Sequence, residues 1–238
     1  MGNGSDNERR AQRDYYAARA TKYDAAHIQR GDEHHFALAF MVGMLEYVGV
    51  ESILDVGSGT GRVLQYLATH APSVKRRGIE PVAELRSTAY AKGIAEAEIT
   101  EGDATRLAFP DGTFDLVCEF GMLHHVRNHG AVVREMLRVA RKAVFISDSN
   151  NFGQGSALKR TVKQALHAAG LWSIVDLVKT RGKGYSMSAG DGLWYSYSVF
   201  DDYQIVRAGC RSVHVLNTRD GDVNPYRSAS HVALLGIK

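Results

Sequence analysis

The chain has 238 residues, 45% apolar and 23% charged, which is the composition of a globular fold and excludes wholesale disorder. Its longest uncharged apolar run, Phe36 to Leu45, falls short of the ~18 residues a membrane span needs. The net charge of +3 is too small to demand a nucleic-acid or membrane partner. Two cysteines, Cys118 and Cys210, cannot build a disulfide framework or a structural zinc site. No charged-then-apolar leader opens the sequence, so a cytoplasmic location is expected.

Met1 to Gln12 is small and charged and is expected to fray. Tyr15, Tyr16 and Tyr23 recur at helical spacings, and a second helix is expected to open at Asp32 with Phe36, Ala39, Phe40, Met44, Leu45 and Val48 on its apolar face. The period then changes. Ser52 to Val56 reads as a strand ending in Gly57-Ser58-Gly59-Thr60-Gly61, and Val63, Leu64, Tyr66 and Leu67 begin a helix at once. Further strands are expected at 77–80, 98–101, 114–118 and 143–147, with intervening helices after Pro81 and from Asn128. This alternation predicts an α/β, doubly wound, mostly parallel sheet, and two later segments (211–216 and 230–237) bring the strands to seven. Between them, Ser156 to Ala169 reads as an amphipathic helix, and Gly182 to Phe200 is rich in glycine, serine and aromatics. The expected organisation is N-terminal helices over 1–50, a core over 51–149, an insertion over 150–200, and a closing helix with the last two strands over 201–238.

Asp55-Val56-Gly57-Ser58-Gly59-Thr60-Gly61 carries the sharpest chemical signal. Glycines at a strand-to-helix turn let a ligand approach backbone where a Cβ would collide, although a tight turn without a ligand would also fit. A dinucleotide fold wants glycine at the place Arg62 occupies, so a nicotinamide-dependent oxidoreductase is the weaker alternative. Glu80, at the end of the second strand, could accept both hydroxyls of a ribose, and Asp103 follows the third strand, where a carboxylate could accept from an exocyclic amine. Acids at the carboxyl ends of successive strands lie where open α/β sheets bind ligands.

On those residues the sequence resembles the class I S-adenosylmethionine-dependent methyltransferases, over roughly Ile53 to Ser147, in the style of the ubiquinone/menaquinone-type and natural-product small-molecule branch. The resemblance implies a Rossmann-like methyltransferase fold with S-adenosyl-L-methionine as cofactor. It implies Asp55, Gly57 and Gly59 around the methionine part, Ser58 and Gly61 as further cofactor-binding residues of the same turn, Glu80 at the ribose, Asp103 and Ala104 at the adenine, and Glu119 as a further contact. Glu119 is acidic where the family often has a small residue, and Arg141-Lys142 stands where proline-glycine-glycine is common. The resemblance also puts His124-His125 at the acceptor floor, with Asp148 beside them, and an N-terminal tyrosine helix over the cofactor, to which Tyr23 belongs. A histidine near its ordinary pKa of about 6.5 can take a proton from an acceptor at neutral pH. Either histidine could instead simply pack, and a strand-end Asp also caps turns. A metal reading would pair His125 with His129, but Asn128 starts a helix between them and no third ligand follows at suitable spacing, so no metal is expected. His34-His35 reads as helix surface.

The Asp/Asn-Pro-Pro-aromatic turn of amine methylases of nucleic acids is replaced by Glu119-Phe120-Gly121-Met122, and no basic stripe with interleaved aromatics appears. A small-molecule acceptor methylated at oxygen is therefore expected, with neither nucleic acid nor membrane as partner. Trp194-Tyr195-Ser196-Tyr197 suits a polar ring or sugar; a cap over the sheet or a homodimer contact are alternative uses of the insertion. A scaffold that keeps the cofactor cleft without chemistry is the remaining alternative.

Overall fold

The computed structural model describes residues 3–27, 31–219 and 223–238. Over these, the chain runs α1 (Asn3–Ala17), a 3-10 turn, α2 (Tyr23–His27), α3 (Glu33–Gly43), α4 (Leu45–Val48), β1 (Ser52–Val56), α5 (Arg62–His70), β2 (Lys75–Ile79), α6 (Ala83–Ala91), β3 (Ile99–Thr100), β4 (Phe114–Phe120), α7 (His129–Val139) and β5 (Ala140–Ser149). The later part holds α8 (Ala157–Ala168), α9 (Trp172–Lys179), β6 (Ser186–Ser188), β7 (Gly192–Trp194), α10 (Tyr203–Gly209), β8 (Ser212–Asn217) and β9 (His231–Ile237).

The main sheet has seven strands in the order β3-β2-β1-β4-β5-β9-β8. β1 to β5 pair in parallel, and β9 joins β5 and β8 antiparallel. The strand order reverses between β1 and β4, which opens a crevice at their carboxyl ends. Alternation along each strand sends side chains to both faces, and both are buried. Leu54, Val56, Val117, Val144 and Ile146 pack with Val132, Val133 and Met136 of α7 on one face. Ile53, Leu116 and Phe145 pack with Leu38 and Met41 of α3 and Leu64 and Leu67 of α5 on the other. Each such fully buried aliphatic or aromatic side chain contributes roughly 1.5–3 kcal/mol, so the two layers hold the crevice rigidly.

Helix starts follow local chemistry. The Asp32 carboxylate accepts from the His35 N–H at 2.7 Å and opens α3, and the Asn128 side chain accepts from the Ala131 N–H at 3.3 Å and opens α7. Several boundaries differ from expectation. The residues up to Gln12 form most of α1 instead of fraying, because Gln12 accepts from the Leu193 N–H at 2.6 Å and Glu8 takes a two-pronged bond from Arg127 at 2.8 and 2.7 Å. Met1 and Gly2 lie outside the described residues. The strands β4 and β5 run two residues further than the sequence suggests, so Glu119 and Asp148 belong to strands and do not follow them. Within the insertion, α9 and the β6–β7 hairpin are additional elements. Both cysteines are buried and free.

Candidate active site

At the end of β1 the chain turns through Gly57, Gly59 and Gly61, all at positive φ (78°, 53° and 82°), a region that side-chain-bearing residues rarely adopt. The turn puts the Gly57 and Gly59 backbone at the crevice, on the boundary of two adjoining cavities. Gly61 faces the other way. A Cβ there would stand 2.1 Å from Ile94 Cδ1, so this glycine allows α5 to pack on the sheet and lines neither cavity.

The first cavity, of about 350 Å³, is lined by Glu80, Asp103, Ala104, Val82, Leu85 and Met122 among others. Glu80 is buried, and its two oxygens accept from the Val82 and Gly59 N–H groups, each at 2.9 Å. Burial still raises its pKa, against the lowering by those two N–H groups. Each oxygen keeps a lone pair for a diol. Asp103 is half-exposed; its Oδ1 accepts from the Thr105 N–H (2.8 Å) and hydroxyl (2.7 Å), and Arg9 sits 3.3 Å from Oδ2. A slot with an acid at each end and apolar walls between them suits a nucleoside.

The second cavity, of about 530 Å³, is the more polar of the two: Asp55, Ser58, His34, His124, Asp191 and Tyr195 are among its lining. Asp55 is buried, its Oδ2 has no partner, and burial pushes its carboxyl up to about 7, with Glu80 adding to the rise. A buried acid with an unfilled oxygen in the lining of the second cavity, two residues before the glycine turn that borders both, is a place for a cationic ligand. Such an oxygen, with a glycine turn free of side chains at Gly57 and Gly59 and the nucleoside-sized slot alongside, fits an adenosyl group carrying a sulfonium and an ammonium.

Between the cavities stand Tyr16, Tyr23, Phe120, Gly121 and His125. The Tyr16 and Tyr23 rings meet edge to face, centroids 5.7 Å apart, and with Ala20 they pack on Val82 and Leu85. His124 and His125 sit on a 3-10 turn after β4. The His124 Nδ1–H donates to Asp148 Oδ1 at 2.6 Å and its Nε2 lies 3.2 Å from Asp191 Oδ2. Burial opposes a charge on His124, but the Asp148 and Asp191 carboxylates outweigh it and hold the ring protonated, up to about 10. Asp148, fully buried behind the ring, is held down to about 2 by that imidazolium despite its burial. The neighbouring His125 is the opposite case. Burial and the His124 charge lower its pKa, so it stays neutral. Its Nδ1–H donates to the Leu193 carbonyl at 2.6 Å, which leaves the Nε2 lone pair to accept from the Tyr16 hydroxyl at 2.7 Å.

Besides Gly61, two expectations need correction. Glu119 lines neither cavity: it is wholly buried, and its oxygens accept from the Met122 and Ser147 N–H groups, each at 3.0 Å, tying the loop after β4 to β5. His34 is not plain helix surface; it borders the polar cavity, and burial with the nearby His231 pulls its pKa down to about 4. His129 turns away from His125 and bonds Asp202 at 2.8 Å. What meets the histidine pair instead is Asp191, which sequence reasoning missed. It sits in the Gly190-Asp191-Gly192 turn of the β6–β7 hairpin, and an Asp-Gly turn between two short runs is the available signal. Ligand atoms of His124, His125 and Asp191 lie within 4.8 Å of one another, a three-point spacing. In this arrangement the His124 ring lies between the Asp148 and Asp191 carboxylates, at 2.6 and 3.2 Å.

The sheet order, the glycine turn and the paired cavities define the class I, Rossmann-like methyltransferase architecture. Residues 54–146 match the family model described as a methyltransferase domain. The chain is 35% identical over 95 residues to norajmaline N-methyltransferase of Rauvolfia serpentina, covering 38% of this chain and 32% of that protein. It is 32% identical over 106 residues to 27-O-demethylrifamycin SV methyltransferase of Amycolatopsis mediterranei, covering 42% and 39%. The match thus spans about a third of the length of these curated relatives. In fold, the chain is similar to magnesium protoporphyrin IX methyltransferase of Synechocystis, solved with bound S-adenosylhomocysteine, at a TM-score of 0.62 and 14% identity over 97% of this chain and 99% of that one. No helix among the described residues is long and apolar enough to cross a membrane.

Proposed function

We propose that the protein is an S-adenosylmethionine-dependent methyltransferase that methylates an oxygen of a small polar acceptor, with His125 taking the proton. When bound, the cofactor supplies an electrophilic methyl group that an acceptor oxygen attacks in line. Glu80 holds the ribose, Asp103 and Ala104 border the adenine, and Asp55 with the Gly57–Gly59 backbone receives the charged methionine end. The observation that carries the reading is the placement of His125 between the two cavities, its Nδ1–H fixed on the Leu193 carbonyl and its Nε2 on the Tyr16 hydroxyl, with burial and the His124 charge favouring the neutral ring. An acceptor hydroxyl would replace Tyr16 as donor to Nε2 and pass its proton there as the O–C bond forms, the methyl–sulfur bond breaks and the thioether S-adenosylhomocysteine leaves. Asp191, whose Oδ1 lies 3.4 Å from Nε2, then balances the imidazolium. His124, already charged, is no base; with Asp148 it orients the acceptor and sets the field around His125. The polar lining favours a hydroxylated acceptor, and the N-terminal helices (1–50) and the 150–200 insertion close over it as lid and cap.

The test couples binding to turnover. S-adenosylhomocysteine should raise the melting temperature of the wild type and of His125→Gln alike. Release of that product, measured over a panel of hydroxylated small molecules, should fall by about 10²-fold or more in the variant. Unchanged turnover in His125→Gln would remove the base assignment, and absence of a thermal shift in the wild type would remove the cofactor site.

A further inference from the structure

The insertion carries two helices that are inside out. On α8 the polar side chains face the body: Lys163 donates to the Asn151 carbonyl, Gln164 donates to the Phe152 and Arg227 carbonyls at 3.0 and 2.7 Å, and the His167 ring lies 4.2 Å from Phe152. The opposite face of the helix bears Leu158, 75% exposed, and Val162, about half exposed. On α9, Trp172 packs on Phe152 at 5.5 Å, the Ser196 hydroxyl donates to Asp176, and Lys179 lies over Trp194 at 5.2 Å. Its outward face is Ile174 (61% exposed), Leu177 and Val178 (74% exposed). Neither helix has a buried residue. Water-facing helices ordinarily turn their apolar stripe to the core; these two pack on each other and turn it to solvent.

Residues 157–183 also hold six Lys and Arg against a single acid, Asp176, which is already bonded to Ser196. Lys159, Lys179, Arg181 and Lys183 are exposed. The cations crowd one another: burial lowers the pKa of Lys163, and Lys179, Arg160 and Lys159 lower it further. A second copy seated on this face about a two-fold axis would bring the cluster against itself, like charge on like. An anionic lipid surface answers both features, since the apolar side chains enter the headgroup boundary and the flanking cations meet lipid phosphates.

We propose that the α8–α9 hairpin is a docking surface for an anionic membrane face, on which the protein lies peripherally. This occupant departs from the composition-based expectation of no membrane partner, because a whole-chain charge of +3 averages out a local basic patch. The hairpin rests on Phe152 and Trp194, next to Asn151, Tyr195 and Tyr197 of the polar cavity wall, so docking would set that cavity close to the lipid headgroups.

Co-sedimentation of the full chain with vesicles decides it, and the readout does not depend on methyl transfer. With vesicles of phosphatidylcholine plus about 30% phosphatidylglycerol the protein should pellet, and with phosphatidylcholine alone it should stay at least about tenfold more in the supernatant. Raising salt from about 0.1 to about 0.5 M should release it. Leu177→Glu/Val178→Glu and, separately, Lys159→Glu/Lys183→Glu should each weaken partitioning about tenfold or more while far-ultraviolet circular dichroism is unchanged, as expected at exposed sites. Three results would overturn the proposal: no pelleting with anionic vesicles, pelleting that ignores both variants, or a dimer in native mass spectrometry that Leu177→Glu/Val178→Glu splits and vesicles do not.

Discussion

Asp55 offers a perturbation whose sign and size follow from its surroundings. Burial raises its carboxyl from an ordinary 3.8 to about 7 in the folded chain. Between about pH 4 and pH 7 the folded state therefore keeps a proton that the unfolded chain has released, and stability falls as pH rises through that window before levelling above it. Asp55→Asn has nearly the same shape and no charge at any pH. At about 1.4 kcal/mol per tenfold change in ionisation constant, the stability of the variant relative to the wild type should grow by about 2.5 kcal/mol from pH 5 to pH 8. Even half of that, allowing for relaxation around the charge, is a widening of about 3–5 °C in the difference between the two melting temperatures. Any fixed cost of the amide's own unmet hydrogen bonds is common to both pH values and cancels. The variant should at the same time bind S-adenosylhomocysteine about tenfold more weakly or worse, because the carboxylate partner of its ammonium is gone. Calorimetric melting at both pH values and titration at pH 8 measure the two effects. A gap in melting temperature that stays constant from pH 5 to pH 8 would refute the assignment of Asp55 as an uncompensated buried acid.

Other outcomes can be checked alongside. At saturating cofactor, whose positive charge keeps Asp55 ionised, turnover should rise with pH through one ionisation below 6.5, the lowered pKa of His125, and His125→Gln should abolish that limb; at limiting cofactor the Asp55 ionisation near 7 should appear as well. Asp148→Asn removes the partner that holds His124 near 10, so a histidine resonance that does not titrate in the wild type near neutrality should begin to do so, with a loss of about 3 kcal/mol in urea unfolding from the broken buried pair. Gly61→Ala should cost about 2 kcal/mol or more, since its Cβ would overlap Ile94 and the site requires a positive φ. Because Gly61 lines neither cavity, the folded fraction of that variant should keep its cofactor affinity.

What the sequence made legible was local. The strand Ser52–Val56 coincides with β1, and the starts of α3 and α7 follow from Asp32 and Asn128, because a β-branched run before glycines and a capping side chain act within a few residues. The acids at strand ends could be found the same way. The remainder depends on partners far along the chain. α1 is held by Arg127 and Leu193, more than 100 residues away, and nothing in a run of small and charged residues announces them. Asp191 reaches the histidines from a stretch with no hydrophobic period, 67 residues beyond His124. The apolar stripe of 156–169 was visible as a stripe, but only the packing of Lys163, Gln164 and His167 against the body decides which way it faces.

Four buried carboxyl groups gather at the rim of β1, β2, β4 and β5, and the donors around them separate their roles. Glu119 receives an N–H on each oxygen and touches no cavity, so its cost of burial is met by fixing the loop that carries the histidines. Asp148 is met by the His124 ring and by the His124 and Ser149 N–H groups, which leaves it to act through that ring. Glu80 also receives two N–H groups but faces the nucleoside-sized slot, where its spare lone pairs can bind a ligand without a change in charge. Asp55 alone among the four keeps an oxygen with no partner. Three of these acids are met by aimed donors, whereas the Asp55 carboxyl keeps one oxygen unmet beside the positive-φ turn of Gly57 and Gly59, and a buried carboxylate oxygen without a donor is stabilised by a cation.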